Sequence, residues 1–354
     1  MAHHRLRQRG SCLQLQLQLI VATTHFYQMG MSLRKKYLIM GIITIFLFAG
    51  ILLIDKHLKE RLLHRQRILV NQLRETKFLL VLITTWNLSP EKLAIYENTA
   101  RIWGSWPLLL QPVLFRPAIP TDNVSSSRLD TYLRKNWRIR NVTKVACGQI
   151  PVLKAMILEV LASFTDHDFY GYANADILFD ESLINTLKSI KKKLPQNRPI
   201  LIVGQRTNVK FTNSTYIVNS YNIRKIAESG ILMRGIAIDY FITNRHFPWN
   251  QIFDFVIGRS RYDNWLIAFA NSQNMTLIDA TESLTAVHQT TSDGNYAGWR
   301  HPNKYCNVAI IKANPPKFKM TWGSTVCAPY YTKRNRESNE IDILYRRTSP
   351  SCKP

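Results

Sequence analysis

The stretch from Asp168 to Asp180 constrains the fold of this chain more than any other part of the sequence. It predicts an apolar strand that ends in the polar turn Asn174-Ala-Asp176, followed by a helix that Asp180 caps. A carboxylate at the carboxyl end of a buried strand lies where open α/β sheets bind their ligands. Asn174 and Asp176 present oxygens that can share one divalent metal with a diphosphate. An ordinary strand-to-helix turn also favours Asn and Asp, so the spacing alone leaves both interpretations open.

Strand-length apolar segments alternate with helical patterns from residue 78 onward. Runs such as Phe78 to Thr85 are apolar on both faces, which is typical of buried parallel strands. Helices are predicted from Pro90 to Trp103 and from Val152 to Phe164, while Pro112 predicts an interrupted or edge strand. This order predicts an α/β fold with a doubly wound, mostly parallel sheet. The sequence has neither a GxGxxG fingerprint nor a Walker loop, which argues against NAD enzymes and P-loop NTPases.

A membrane anchor is predicted near the N-terminus. Tyr37 to Ile54 contains no charged residue and, at about 1.5 Å per residue, is barely long enough to span a bilayer. A buried core helix is the alternative for this segment. The Arg34-Lys-Lys36 flank places residues 1–36 in the cytoplasm by the positive-inside rule, although the segment after the anchor is also basic.

The remaining boundaries follow from composition. Residues 55–77 are charged with leucines at helical spacing, and they predict a stem. Residues 78–332 form the expected folded domain, and residues 333–354 are predicted to be a flexible basic tail. We hypothesise that translation starts at Met31, so that residues 1–30 are not translated in the cell.

Charge and cysteine content restrict the partners and the compartment. The 354 residues carry a formal net charge of +24, which suits nucleic acid, an anionic membrane or anionic small molecules. No nucleic-acid motif is visible, so no nucleic-acid partner is expected. The five cysteines lack a CxxC pair, which argues against zinc; in a lumen four of them can form one or two disulfides, or stay as buried thiols. Glycosylation sequons agree with a lumenal location and lie at Asn87, Asn123, Asn141, Asn213 and Asn274.

The segment around Asp263 is a candidate for catalysis. Asp263 precedes a predicted helix, and its carboxylate can take a proton from a hydroxyl or simply cap that helix. Arg259 and Arg261 come just before it. Their guanidinium groups can neutralise a diphosphate or lie as solvated surface charges.

Further polar residues adjoin apolar segments. His288 follows an apolar stretch and can bind a metal together with Asp176, or remain a core histidine. Thr84 and Thr85 end the first predicted strand with hydroxyls that can face a ligand or merely finish the strand. Asp239 is the single acid in another apolar stretch.

Three motifs together resemble those of GT-A-type glycosyltransferases, which have the nucleotide-diphospho-sugar transferase fold. They are Tyr172 to Ile177, Gly258 to Trp265 and Ala286 to Gln289, in that order. The resemblance covers about Phe78 to Trp299 and implies that residues 78–332 are a glycosyltransferase-like catalytic domain.

The resemblance also implies roles for individual residues. In that family a DxD-type motif holds Mn²⁺ and the donor diphosphate, and here Asn174 replaces its first Asp. Asp176 is then the main metal ligand, with Asn174 assisting, His288 completing the metal shell and Asp263 acting as base. The residues then expected to contact the donor are Thr84, Thr85, Asn174, Asp176 and Arg259.

The sequence therefore predicts a membrane-anchored glycosyltransferase. It would move a sugar from a nucleotide-diphosphate sugar to a hydroxyl of a glycan, protein or lipid acceptor, assisted by a divalent metal such as Mn²⁺. A single anchor with a short stem resembles Golgi transferases, so the expected location is the Golgi membrane, type II, with a lumenal catalytic domain; the endoplasmic reticulum is the alternative. Asn174 keeps open the alternative that the chain is an inactive relative that binds a nucleotide-sugar or glycan. A membrane-tethered interaction protein with a basic stem is a further alternative.

Overall fold

A computed structural model describes residues 59–60, 78–86, 89–116, 127–211, 219, 221–290, 301–335, 337–338 and 340–352 of the chain. The chain divides into two compact units, Met1–Glu75 and Thr76–Pro354. Nearly all of the first unit lies outside the described residues, and with it the predicted tail, anchor and stem. Within the described part of the chain, no helix is both long and apolar enough to cross a membrane.

The second unit combines strands and helices throughout. Its strands are β1 (Phe78–Thr85), β2 (Leu110–Arg116), β3 (Arg138–Asn141), β4 (Val145–Ala146), β5 (Ile150–Pro151), β6 (His167–Ala173), β7 (Ile177–Phe179), β8 (Ile200–Val203), β9 (Thr207–Lys210), β10 (Ile231–Leu232), β11 (Tyr240–Asn244), β12 (Thr276–Glu282), β13 (Ala286–Thr290), β14 (Tyr330–Arg334) and β15 (Ile341–Tyr345). The helices of its described residues are α1 (Leu93–Trp103), α2 (Ser127–Asn136), α3 (Leu153–Ser163), α4 (Ser182–Lys193), α5 (Ile223–Glu228), α6 (Tyr262–Ser272) and α7 (Cys306–Ala313). Short 3₁₀ turns lie at Pro90–Lys92, Trp249–Gln251, Met320–Trp322, Thr325–Cys327 and Pro350–Cys352.

Among the described residues the strands form one large sheet, one small sheet and one hairpin. The large sheet has nine strands in the order β15-β14-β12-β8-β11-β6-β1-β2-β3, and the small one has the order β10-β9-β13-β7. In the large sheet β11 and β15 run antiparallel to their neighbours, whereas the other pairings are parallel. Helices α1, α2 and α4 pack on one face, and α3 and α6 on the other. The predicted doubly wound, mostly parallel sheet is confirmed.

Strand β1 shows why the sheet is covered on both sides. Leu80 and Leu82 belong to the core on one face, and Val81 and Ile83 to the core on the other. All four are fully buried, and full burial of such a side chain stabilises a fold by about 1.5–3 kcal/mol. Because side chains alternate along a strand, the two threonines that end β1 point to opposite faces.

Pro112 does not interrupt the sheet or place its strand at an edge. Strand β2 runs through it, with Pro112 opposite Leu82 of β1. On the other side, β3 pairs with β2 only from Val113 onward. At Pro112 the strand thus has a partner on one side only, and this is where a missing N–H is tolerated.

The predicted flexible tail is wrong for the described residues of 333–354. Arg334 ends β14, and Ile341–Tyr345 form the edge strand β15. Cys352 forms a disulfide with Cys327. The polar, basic composition that suggested flexibility is also typical of edge strands, where charge prevents pairing with other chains.

Candidate functional site

The polar residues of the site meet at the carboxyl ends of β1 and β6, which are neighbours in the large sheet. The chain adds β2 and β3 on one side of β1 and β6 on the other, so a crevice forms at this point. A cleft of about 560 Å³ opens there. Six of the residues predicted from the sequence line it: Thr85, Asn174, Asp176, Arg259, Asp263 and His288.

Asp176 and His288 are brought together by the small sheet. Strand β7 starts directly after Asp176 and pairs antiparallel with β13, with Ile177 opposite His288. This register places His288 Nε2 at 3.3 Å from Asp176 Oδ2. His288 Nδ1 lies 3.1 Å from Thr290 Oγ1, so Nε2 is the ring nitrogen that meets Asp176.

One carboxylate oxygen of Asp176 is left unsatisfied. Within the described structure, Asp176 Oδ1 is buried and has no hydrogen-bond partner. Burial by itself raises the pKa of this carboxyl, but His288, Lys92 and Arg206 outweigh burial and hold the pKa below its ordinary value. A buried, ionised oxygen is costly unless a cation or a donor meets it.

Asp176 and His288 fit a divalent cation by their chemistry. Carboxylate oxygen and neutral imidazole are both ligands for Mn²⁺-like ions, and both residues line the same cleft. The described residues contain no group of three or more His, Cys, Asp or Glu placed to hold a metal ion.

Asn174 is hydrogen-bonded through both atoms of its amide. Its Oδ1 accepts a hydrogen bond of 3.0 Å from the Tyr172 hydroxyl, and its Nδ2 donates one of 3.0 Å to Asp239 Oδ1. Asp239 in turn forms a buried ion pair with Arg206. Asn174 therefore links the turn to Asp239. Its Oδ1 keeps a second lone pair, and its binding to a metal stays a prediction.

Asp263 lies inside the first turn of α6. The helix begins at Tyr262 after Arg261, whose φ of 86° is left-handed, so Asp263 is not the capping residue. Asp263 Oδ1 accepts a hydrogen bond of 2.9 Å from the Asn264 N–H. Burial raises the pKa of the Asp263 carboxyl to about 6, against the backbone N–H groups and the charges of Arg206 and Arg261, which lower it. A carboxylate with a pKa close to neutrality suits proton acceptance.

Thr84 lies away from the cleft, whereas Arg259 lines it and its contact with a donor stays a prediction. Thr84 is fully buried, and it lies on the face of β1 opposite to Thr85, so it does not line the cleft. Its predicted contact with a donor is corrected, because the alternation of the strand lets only one of the two hydroxyls reach the cleft. Arg259 lines the cleft, but the cations that act on Asp176 are Lys92 and Arg206.

Sequence reasoning assigned no role to several residues of the cleft. Arg206 and Asp239 form the buried ion pair next to Asn174, and Lys92 lines the same cleft. Asp239 stands out in the sequence as a lone acid before the apolar strand β11, and Arg206 comes three residues after β8. Proximity to a strand end was the available signal.

Comparison with known proteins gives only a loose likeness. No protein-family model matches the chain. No curated protein sequence matches it either. It is similar to the crystal structure of S. aureus TarS 1-349, with 13% identity, 60% of each chain covered and a TM-score of 0.39. It is also similar to a crystal structure of S. aureus TarS, with 11% identity, 70% of this chain and 42% of that one covered, and a TM-score of 0.40. The chain thus spans 60% or less of these structures. The fold and the site rest on the strands, helices and contacts described above.

Proposed function

We propose that the unit Thr76–Pro354 is a glycosyltransferase that moves a sugar from a nucleotide-diphosphate sugar to a hydroxyl acceptor, with a divalent cation such as Mn²⁺. The observation that carries the proposal is the Asp176–His288 pair, with its unsatisfied oxygen, in the same cleft as Asp263. Transfer of this kind needs charge stabilisation on a leaving diphosphate and a base for the acceptor hydroxyl. The cleft offers residues for both.

The donor side of the cleft contains Asp176 and His288 as ligands for the cation. When bound, such a cation neutralises charge that develops on the leaving diphosphate. Lys92 and Arg206 lie near Asp176 and can bind phosphate oxygens. The buried ion pair with Asp239 holds Arg206 in place.

The end of β1 offers a surface for the rest of the donor. Trp86 and Tyr96 line the cleft as a stacked pair with ring centroids 5.0 Å apart. Thr85 lines the cleft beside them. Aromatic rings and a hydroxyl suit a planar base and its ribose.

On the acceptor side, Asp263 takes the proton from the acceptor hydroxyl, which becomes a better nucleophile as the proton leaves. Arg206 is close enough for its charge to interact with both Asp176 and Asp263. It therefore lies between the donor side and the acceptor side.

We extend the proposal to a Golgi membrane protein of type II with a lumenal catalytic unit. The described residues contain two disulfides, Cys147–Cys306 and Cys327–Cys352, which are typical of oxidising compartments. Two of the sequon residues, Asn141 and Asn274, are exposed. Removal of N-glycans should increase the gel mobility of the native protein, and Asn141→Gln with Asn274→Gln should reduce that shift. A cytosolic protease that cleaves a C-terminal tag in intact vesicles would contradict the topology.

The activity is tested on the full chain in detergent with a panel of nucleotide-sugars, with and without Mn²⁺. We expect Mn²⁺-dependent binding of one donor and release of its nucleoside diphosphate. Asp176→Asn should weaken Mn²⁺-dependent donor binding by roughly 10–100-fold, as loss of a metal-site partner does. Asp166→Asn, an exposed position before β6, is the matched control. Binding without product would instead favour an inactive donor-binding relative, and absence of donor binding would contradict the proposal.

A further inference from the structure

Three basic side chains that line the cleft have no carboxylate partner among the residues that the structure describes. Arg259, His301 and Lys304, called the cationic wall below, all line the cleft. Among the described residues, none of them has a carboxylate within ion-pair distance. Arg259 Nε is also buried without a hydrogen-bond partner in that part of the structure. Uncompensated positive charge in a cleft attracts an anion.

Two members of the wall are close neighbours. Burial lowers the pKa of His301, and the charge of Arg259 lowers it further. His301 Nδ1 accepts a hydrogen bond of 3.1 Å from the Asn303 N–H, so the neutral ring carries its proton on Nε2. His301 can thus donate to an anion even when it is uncharged.

The backbone under Arg259 is fixed by one buried side chain. Asn307, which is fully buried, accepts a hydrogen bond of 2.9 Å from the Val256 N–H. Its amide nitrogen donates to the carbonyls of Val256 at 2.9 Å and of Arg259 at 3.2 Å. The loop that carries Arg259 is therefore held in place by α7.

The segment that carries Lys304 is fixed by a covalent bond. Cys306 forms a disulfide with Cys147, and Asn303 Nδ2 donates a hydrogen bond of 2.7 Å to the Cys147 carbonyl. Gly148 has a φ of +77°, and a Cβ there would lie 2.5 Å from Asn303 Nδ2, so a glycine permits the close approach. The wall is arranged before a ligand arrives, which lowers the cost of binding one.

Tyr305 adds an aromatic surface beside these charges. Its side chain lines the cleft and is 60% exposed, and Lys304 Nζ lies 5.1 Å from the centre of its ring. An exposed aromatic ring next to a cation suits a sugar ring that bears a negative group.

We infer that the acceptor of the proposed transfer is an anionic glycan, whose carboxylate or sulfate binds Arg259, His301 and Lys304 while a sugar ring packs on Tyr305. The inference rests on the proposed function, since it takes the cleft to be the site of transfer. The donor diphosphate is assigned elsewhere, because Lys92 and Arg206 are the cations near Asp176. Asp263 follows Arg259 by four positions in the same segment, so the anion would be bound on the side of the base.

The test measures binding of defined oligosaccharides to the full chain in detergent at constant salt. The probes are a hyaluronan tetrasaccharide with carboxylates only, a keratan sulfate tetrasaccharide with sulfates only, and neutral chitotetraose. We expect at least one anionic probe to bind more tightly than chitotetraose. Arg259→Gln with Lys304→Gln should weaken that binding by about tenfold or more, as loss of two charge-assisted contacts does.

A matched control separates the wall from general charge. Lys188→Gln with Lys192→Gln removes the same charge from exposed positions of α4 and should leave the affinity unchanged. If the control weakens binding as much as the wall variant, or if chitotetraose binds as tightly as both anionic probes, the inference is overturned. The single variant Lys304→Gln repeats the measurement if the double variant loses its melting transition.

A second probe keeps this inference apart from the proposed function. UDP and GDP are titrated with Mn²⁺ into the same variants. An unchanged nucleotide affinity in Arg259→Gln with Lys304→Gln supports an acceptor role, whereas a parallel loss assigns Arg259 to the donor and overturns the inference. If wild type binds neither nucleotide but binds the anionic glycan through the wall, the proposed transfer fails while the anion site stands.

Discussion

The floor of the cleft, formed by Asp176, His288, Arg206 and Asp239, and the cationic wall are built in opposite ways. On the floor, opposite charges compensate each other in the Asp239–Arg206 ion pair, and His288 Nε2 lies 3.3 Å from Asp176 Oδ2. On the wall, positive groups stand without carboxylates among the described residues. The floor is held by strand pairing, and the wall by a disulfide and by Asn307. A site with balanced charges can admit an ion together with an anion, whereas a site with one sign of charge selects for the opposite sign.

The largest effect is expected at Asp263, between the two regions. Asp263→Asn removes the base and should lower turnover by roughly 10²–10⁴-fold. Donor affinity should stay unchanged, because a base acts mainly in the transition state. The measurement is turnover and donor affinity on the same preparation. Equal turnover in wild type and variant would remove Asp263 from the chemistry.

The pH dependence of Asp263 gives an independent prediction. A base must be ionised, so activity should fall as the pH decreases through about 6, the pKa that burial gives this carboxyl.

The raised pKa of Asp263 also affects stability, because the folded pKa lies above the ordinary value of 3.8. The contribution of the Asp263 carboxyl to stability is fully present below pH 3.8 and is lost as the pH rises through about 6. Asp263→Asn should therefore raise the melting temperature at pH 8 and leave it unchanged near pH 4; a lower melting temperature at pH 8 would favour a purely structural role.

The wall should depend on its disulfide, and the floor should not. Cys147→Ser with Cys306→Ser should cost about 2–4 kcal/mol of stability and weaken binding of the anionic tetrasaccharide several-fold. Mn²⁺-dependent nucleotide binding should not change. The second disulfide offers a matched control: Cys327→Ser with Cys352→Ser should lower the melting temperature without affecting the tetrasaccharide. Loss of nucleotide binding in the first variant would show that the two regions are not independent.

The smallest effect is expected at the end of β1. Thr85→Val removes a hydroxyl from the cleft and should weaken donor binding about fivefold, the worth of one hydrogen bond near 1 kcal/mol. Thr84→Val should leave donor binding unchanged, since that side chain is buried on the other face. Calorimetric titration of the donor into both variants measures the two affinities. Equal losses of donor affinity would mean that the register of β1 affects the site only indirectly.

Local patterns in the sequence account for much of the fold. The apolar run of β1 and Pro90, which opens the segment before α1, are each recognised from a few consecutive residues. Their structure can therefore be predicted from a short window of the sequence. The same holds for Asp176 and Asp263, which adjoin the ends of elements and which the structure places in one cleft. Their chemical roles stay predictions.

Pairing between distant segments could not be predicted. Strand β11 enters antiparallel between β6 and β8 and brings Asp239 to Asn174 and Arg206. No local pattern records which strands become neighbours. The choice between Thr84 and Thr85 likewise depends on which face of β1 meets the cleft, and this is decided only when the whole sheet is assembled.

The pairing of β7 with β13 has a consequence for how the protein is made. His288 leaves the ribosome about 110 residues after Asp176, which corresponds to roughly 5–20 s at ordinary rates of synthesis. During that interval Ile177–Phe179, which are buried in the finished structure, have no partner strand. Unpaired apolar strands are where nascent chains aggregate or recruit chaperones. Misfolding during synthesis would therefore prevent the Asp176–His288 contact before it affects the pairing of β1 with β2, because these two strands are neighbours in the chain as well as in the sheet.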